Sequence, residues 1–143
     1  MRLSTHFTLE ELTHSDTATR LGIDNTPSEE IIDNLKFLAG KLEDVRVLLG
    51  SPMLISSGYR SYPLNDHLGS KRTSAHTSGF AVDFISPSYG TPEDIVEKIV
   101  GSDILYDQVI LEFGRWVHLA FVRRHPRKQA LIIDKKGVRN YLD

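Results

Sequence analysis

Between Ile31 and Leu49 an apolar residue returns at steps of four and three, as Ile31, Leu35, Leu38, Leu42, Val45 and Leu49. That spacing lays the large side chains along one stripe of a long amphipathic α-helix. Start and stop signals flank it. Thr26-Pro-Ser-Glu29 reads as a threonine N-cap with proline at the first helical position and glutamate at the third, and Gly50 with Pro52 ends the run. Gly40 lies inside and costs about 1 kcal/mol relative to alanine. A helix with a single apolar face has to bury it against a second layer, and this constrains every later segment.

Upstream, Thr8 and Glu11 form a capping-box pattern for a short helix through Leu12. Downstream the period shortens to that of strands. Met53 to Ser57 is a short apolar run closed by the loop signal Ser57-Gly-Tyr-Arg-Ser61. In Phe80 to Ile85, alternation puts Val82 and Phe84 on one face and Ala81, Asp83 and Ile85 on the other. Thr91-Pro-Glu-Asp94 opens another helix with Ile95 and Ile99 inward, closing at Gly101. Gln108–Phe113, Trp116–Phe121 and Ala130–Ile133 all have strand character, with Val117, Leu119 and Phe121 sharing a core face. Helices first and strands later predict an α+β fold, a helical N-terminal half packed on a central, mainly antiparallel sheet. At 143 residues, 40% apolar and 25% charged, without repeat, linker or low-complexity tract, the chain is expected to form one domain over residues 1–143.

A formal charge of −2 gives no reason to expect nucleic acid or a membrane surface as partner, and a monomer is expected. Cysteine is absent, so a metal site must be built from His and carboxylates. The N-terminus lacks the apolar core of a secretory signal and no stretch is long enough to span a bilayer, so synthesis as a cytoplasmic protein is expected.

His76 and Asp83 lie seven positions apart in Ser74-Ala-His-Thr-Ser-Gly-Phe-Ala-Val-Asp83, and His118 follows in Trp116-Val-His118. Two neutral imidazoles and a carboxylate suit a borderline-soft dication such as Zn2+, and three protein ligands leave a fourth position for water. The plainer reading makes His76 an exposed loop residue, Asp83 a strand-end cap and His118 a satisfied surface or core histidine. Asp83 weighs against it, because an aspartate inside an apolar strand is costly without a partner or a metal.

Glu112, ending Val109-Ile-Leu, is a candidate general base; the alternative is a hairpin-edge glutamate without a function. If Gly114-Arg115 were a two-residue loop, Glu112 would face away from His118. A three-residue loop or bulge would put both on one face, and that register is predicted against the local turn signal. Arg60 is a candidate anion holder, or an ordinary loop arginine. Ser74 could bind substrate or only stabilise its turn. The basic run Val122-Arg-Arg-His-Pro-Arg-Lys128 could attract an anionic polymer, although most such runs are solvated surface. His-Glu-x-x-His, Walker and Gly-x-Ser-x-Gly signatures are absent.

Together, Ser56-Ser-Gly-Tyr-Arg-Ser61, Ser74 to Asp83 and Trp116-Val-His118 resemble the M15 zinc peptidases, a group that contains D-Ala-D-Ala carboxypeptidases and dipeptidases and phage L-Ala-D-Glu endolysins. The similarity extends over most of the chain. His6 to Leu12 and Ser57 to Asn65 look like its short, phage-associated branch. The resemblance implies a hedgehog/DD-peptidase-like α+β fold, zinc at His76, Asp83 and His118, and Arg60 and Ser74 on substrate. It implies a peptidoglycan peptide as substrate, and a phage or prophage enzyme that reaches the wall after release from the host cytoplasm. Several members carry glutamate three positions before the last histidine, where this chain has Arg115; Glu112, six before His118, matches the spacing of other branches and of the hedgehog fold. Hedgehog domains also suggest the alternative of a zinc-containing module that binds cell-wall peptide without cutting it.

Overall fold

In the computed structural model, which describes residues 1–142, the long helix is capped two residues later than the sequence pattern suggests. Thr26 donates its N–H to Asp24 Oδ1 at 2.9 Å, a local turn that holds it outside the helix. Ser28 caps instead, its Oγ accepting from Ile31 N at 3.3 Å. Helix α3 then runs Glu29–Leu49 and stops at Gly50, which is left-handed. Leu35, Leu38, Leu42, Val45 and Leu49 are buried together with Ala39, whereas Ile31, in the first turn, is only half-buried.

Shorter helices surround it: α1 (Leu9–Thr13), α2 (Asp16–Leu21), α4 (Tyr62–His67) and α5 (Pro92–Val100). Thr8 with Glu11, and Thr91 with Asp94, complete capping boxes at α1 and α5. The six strands are β1 (Leu54–Ser57), β2 (Ala81–Ile85), β3 (Gln108–Glu112), β4 (Trp116–Ala120), β5 (Gln129–Asp134) and β6 (Gly137–Asn140), in the spatial order β1-β2-β4-β3-β5-β6. Every neighbouring pair is antiparallel except β3 and β5. The fold is therefore α+β with a mostly antiparallel sheet. The sequence reading has no β6, and all four residues of that edge strand are exposed, so no apolar alternation marks it.

One face of the sheet supplies Val82, Phe84, Val109, Leu111, Val117 and Leu119 to a core that also takes the inner stripe of α3 and Ile95, Val96 and Ile99 of α5. Each fully buried Leu, Ile or Phe contributes about 1.5–3 kcal/mol. Alternation turns Asp83, His118, Ile110, Glu112 and Trp116 to the opposite face. No helix among the described residues is long and apolar enough to cross a membrane.

Candidate active site

Asp83 on β2 and His118 on β4 are direct cross-strand partners, and Ile110 on β3 stands opposite His118 on its other side. Glu112 pairs with Trp116, leaving Phe113-Gly114-Arg115 as the turn, so the three-residue register is the one formed. The turn achieves this with left-handed backbone at Phe113 (φ 56°) and Gly114 (φ 64°), and Arg115 N–H donates to the Glu112 carbonyl at 2.9 Å. Left-handed backbone costs a phenylalanine about 1–2 kcal/mol. A hydrogen bond from Phe113 N–H to the Ile133 carbonyl (2.8 Å) holds it in place. Glu112 consequently lies on the His118 side of the sheet and not in the core.

His76 comes from outside the sheet. It sits in a 3-10 turn, Ala75–Ser78, capped by Ser74 Oγ and closed by left-handed Gly79. Its Nδ1–H donates to the Gly58 carbonyl at 2.7 Å, which fixes the tautomer and directs Nε2 toward the sheet. That carbonyl is itself firmly placed. Gly58 packs so close to α1 that a Cβ there would lie 2.2 Å from the Leu12 carbonyl oxygen. Tyr59 N–H bonds the same oxygen at 2.8 Å, and Arg60 N–H bonds the His76 carbonyl at 3.0 Å. Asn25 fastens the assembly, donating to the Thr13 and Tyr59 carbonyls (2.8 and 3.1 Å) and accepting from Ser61 N at 2.7 Å. Sequence reasoning treats Gly58 only as a loop marker and misses Asn25. The glycine is a signal that could have been followed; a lone asparagine before a helix carries none.

These supports bring the donor atoms of His76, Asp83 and His118 within 4.8 Å of one another, and all three residues are buried. Asp83 Oδ1 lies 3.2 Å from His76 Nε2 and 3.0 Å from His118 Nδ1. Tetrahedral bonds of ~2.0–2.1 Å separate ligand atoms by about 3.3 Å, so the spacing fits a small ion. The chemistry of the donors fits as well. Burial drives the His76 pKa down against the pull of Asp83, favouring neutral imidazole. With its one proton on Nδ1, its Nε2 lone pair faces a carboxylate oxygen, two acceptors that need a cation between them. Burial pushes the Asp83 carboxyl up, but the hydrogen bond with His118 leads the opposing effects and the carboxyl is held well below the carboxylate range. Asp83 is therefore an anion.

Around the cluster lies a cleft of about 420 Å3 lined by Arg60, Ser74, Glu112 and Trp116, among others. All the candidate residues thus meet at one place, although two of them are already engaged. Arg60 donates to Ser57 Oγ (3.1 Å), Ser70 Oγ (3.3 Å) and Asp83 Oδ2 (3.3 Å), so it is a half-buried partner of the cluster before it is an anion holder. Ser74 Oγ caps the His76 turn at 3.3 Å. Burial and the Asp83 charge push the Glu112 carboxyl up, opposed by His118 and Arg60. The Trp116 indole N–H is buried without a partner among the described residues. In the basic run, Arg127 is forked onto Asp107 (2.8 and 3.1 Å) and Arg123 stacks on Phe37 at 4.8 Å, away from the cleft.

Among curated proteins, no sequence matches this chain. The profile of the family described as Peptidase M15 matches residues 5–120, a span that runs from before α1 to the end of β4 and includes every residue of the cluster. M15 peptidases are metal-dependent, and a buried His-Asp-His group able to hold a metal lies inside the matched span. The chain belongs to the M15 peptidase family.

Proposed function

We propose that the protein is a zinc peptidase that hydrolyses an amide bond in peptidoglycan stem peptides, as a carboxypeptidase or an endopeptidase. One observation carries the reading: a buried His76–Asp83–His118 cluster and a half-buried Glu112 share one cleft. The donor set of two imidazoles and one carboxylate favours zinc over hard cations, which prefer oxygen ligands throughout. Zinc held by these residues would polarise the scissile carbonyl and bring the pKa of water near neutrality.

The remaining work falls to the chain itself. Glu112, with its pKa raised, takes a proton from water as general base and returns it to the leaving amine. Gly58 keeps His76 Nε2 turned into the cleft. Arg60 neutralises Asp83 from behind and, with three of about five guanidinium donors committed, keeps two for a substrate carboxylate or oxyanion. Ser74 contacts substrate through the hydroxyl proton that its capping role leaves free. The substrate is a peptide, with neither nucleic acid nor membrane required. The likeness of His6–Leu12 and Ser57–Asn65 to the phage-associated branch supports a lysis enzyme that meets the wall after release from the host cytoplasm.

The deciding experiment measures new amino groups released from purified peptidoglycan by the zinc-loaded protein, the chelated protein and the protein with zinc restored. Release that chelator abolishes and zinc restores is expected, and fragment masses then identify the bond. Binding without amine release under every condition would instead mark a non-catalytic wall-peptide module.

A further inference from the structure

A second cavity, of about 520 Å3, adjoins the cleft, and Trp116 lines both. Its other walls are two turns: Phe113 and Arg115 from β3–β4, and Asp134, Lys135 and Lys136 from β5–β6. The Phe113–Ile133 hydrogen bond holds the turns side by side.

The charge of this groove runs against that of the whole chain, which is −2. Arg115, Lys135 and Lys136 supply three cations and Asp134 the one carboxylate. That carboxylate is already taken, by Arg139 at 2.8 and 3.0 Å and by the Lys136 N–H at 2.9 Å. Among the described residues none of the three cations forms a side-chain ion pair with a carboxylate, although the Lys136 charge helps to lower the Asp134 carboxyl. Between them lies an aromatic wall, Phe113 and Trp116 with centroids 5.9 Å apart. Phe113 is 47% exposed although its left-handed backbone is strained, so packing repays little of that cost. The family match ends at residue 120, before the hairpin that carries Lys135 and Lys136. The Asp134–Lys136 side of the groove therefore lies outside the segment through which the family is recognised, and the Phe113–Trp116 side lies inside it.

We propose that the groove binds a carboxylate-bearing stretch of the wall polymer beside the scissile amide, its cations meeting free carboxylates and its rings covering the apolar parts of the strand. The site rests on the peptidase reading above, which supplies the neighbouring cleft. It is an extended subsite, distinct from the residues that act on the amide.

The test compares co-sedimentation of the zinc-loaded protein, and of its Lys135→Ala/Lys136→Ala variant, with purified peptidoglycan sacculi and with the same sacculi after their carboxyls are amidated. Amine release is followed in parallel. Loss of two exposed charge contacts should weaken binding to native sacculi about tenfold, and 0.5 M salt should remove most of the difference. Amidated sacculi should bind wild type and variant equally. On a short stem peptide that keeps its terminal carboxylate and has its side-chain carboxyls amidated, the variant should turn over as wild type does. Lys135→Glu/Lys136→Glu should weaken binding further. Equal binding of wild type and variant to native sacculi overturns the groove even where amines are released. A wild type that releases no amines, yet loses affinity on amidation or in the variant, keeps the groove and overturns the peptidase. Strong charge-dependent binding to amidated sacculi would assign the cations to phosphate or another anion and sink the proposal.

Discussion

The two faces of the central sheet are built from the same strands and do opposite things. On the face toward α3 and α5, Val82, Phe84, Val117 and Leu119 are fully buried and stabilise the fold through apolar burial alone. One residue along each strand, Asp83 and His118 are also buried, as an anion against an imidazole, and their desolvation is offset by the hydrogen bond between them and by Arg60. The comparison teaches that alternation sorts residues into faces, but that sheet packing stabilises only one of them. The other needs help from outside the sheet, and it comes from the loop 58–61, the His76 turn and Asn25. Rigid strands thus hold two members of the cluster, while the third depends on loop contacts.

The sharpest way to break this comparison is at its centre. Asp83→Ala should abolish amide hydrolysis and zinc binding together, read as metal content by mass spectrometry and as loss of the thermal shift on adding zinc. Retention of one zinc per chain would remove Asp83 from the ligand set. Glu112→Gln should lower kcat by about 10²–10⁴-fold while zinc content stays the same, separating the proton carrier from the ligands. Because burial and Asp83 raise the Glu112 pKa, the base is ionised only above the ordinary glutamate range, so kcat/KM should fall on its acid side at a pH above 4.5. A wild-type profile flat down to that pH would exclude Glu112 as the base.

Gly58→Ala probes the outside support. Its Cβ would meet the Leu12 carbonyl, the 58–60 segment must shift, and zinc affinity should drop about 10–100-fold, as expected when a ligand's supporting hydrogen bond is displaced. Competition with a metal indicator measures it; unchanged affinity would show that His76 is oriented without Gly58. Phe84→Ala, next to Asp83 on the opposite face, should have the smallest effect on turnover, leaving kcat per folded molecule unchanged. It should still cost about 3–5 kcal/mol in urea unfolding. A matching fall in kcat would mean that the two faces are not separable.

Much of this arrangement is legible in the chain. The α3 stripe and the alternation through 80–85 and 116–121 indicate both the layers and the side of the sheet on which Asp83 and His118 lie. The Glu112 register is also legible, but only by asking which turn would put it beside His118, since Gly114-Arg115 on its own suggests the tighter loop. Other features leave no pattern. The cap at Ser28 depends on an Asp24–Thr26 turn that competes for Thr26. The parallel β3–β5 pairing and the exposed β6 are decided by which strand edges remain free once β4 is seated between β2 and β3. Arg60 reads as a free loop cation, whereas its partner Asp83 is 23 positions away.

Local periodicity and residue chemistry determined by themselves that this chain forms one-sided helices over an alternating sheet, and that a carboxylate and two imidazoles require a cation or one another. Those properties belong to neighbours in sequence and to side chains taken singly. Only the tertiary structure decided that three donors from separate segments share 4.8 Å of space, that Gly58 fixes His76, and that two distant turns form a cationic groove beside them. Such juxtapositions come from loop closure and packing among segments far apart in the chain, and no local pattern encodes them.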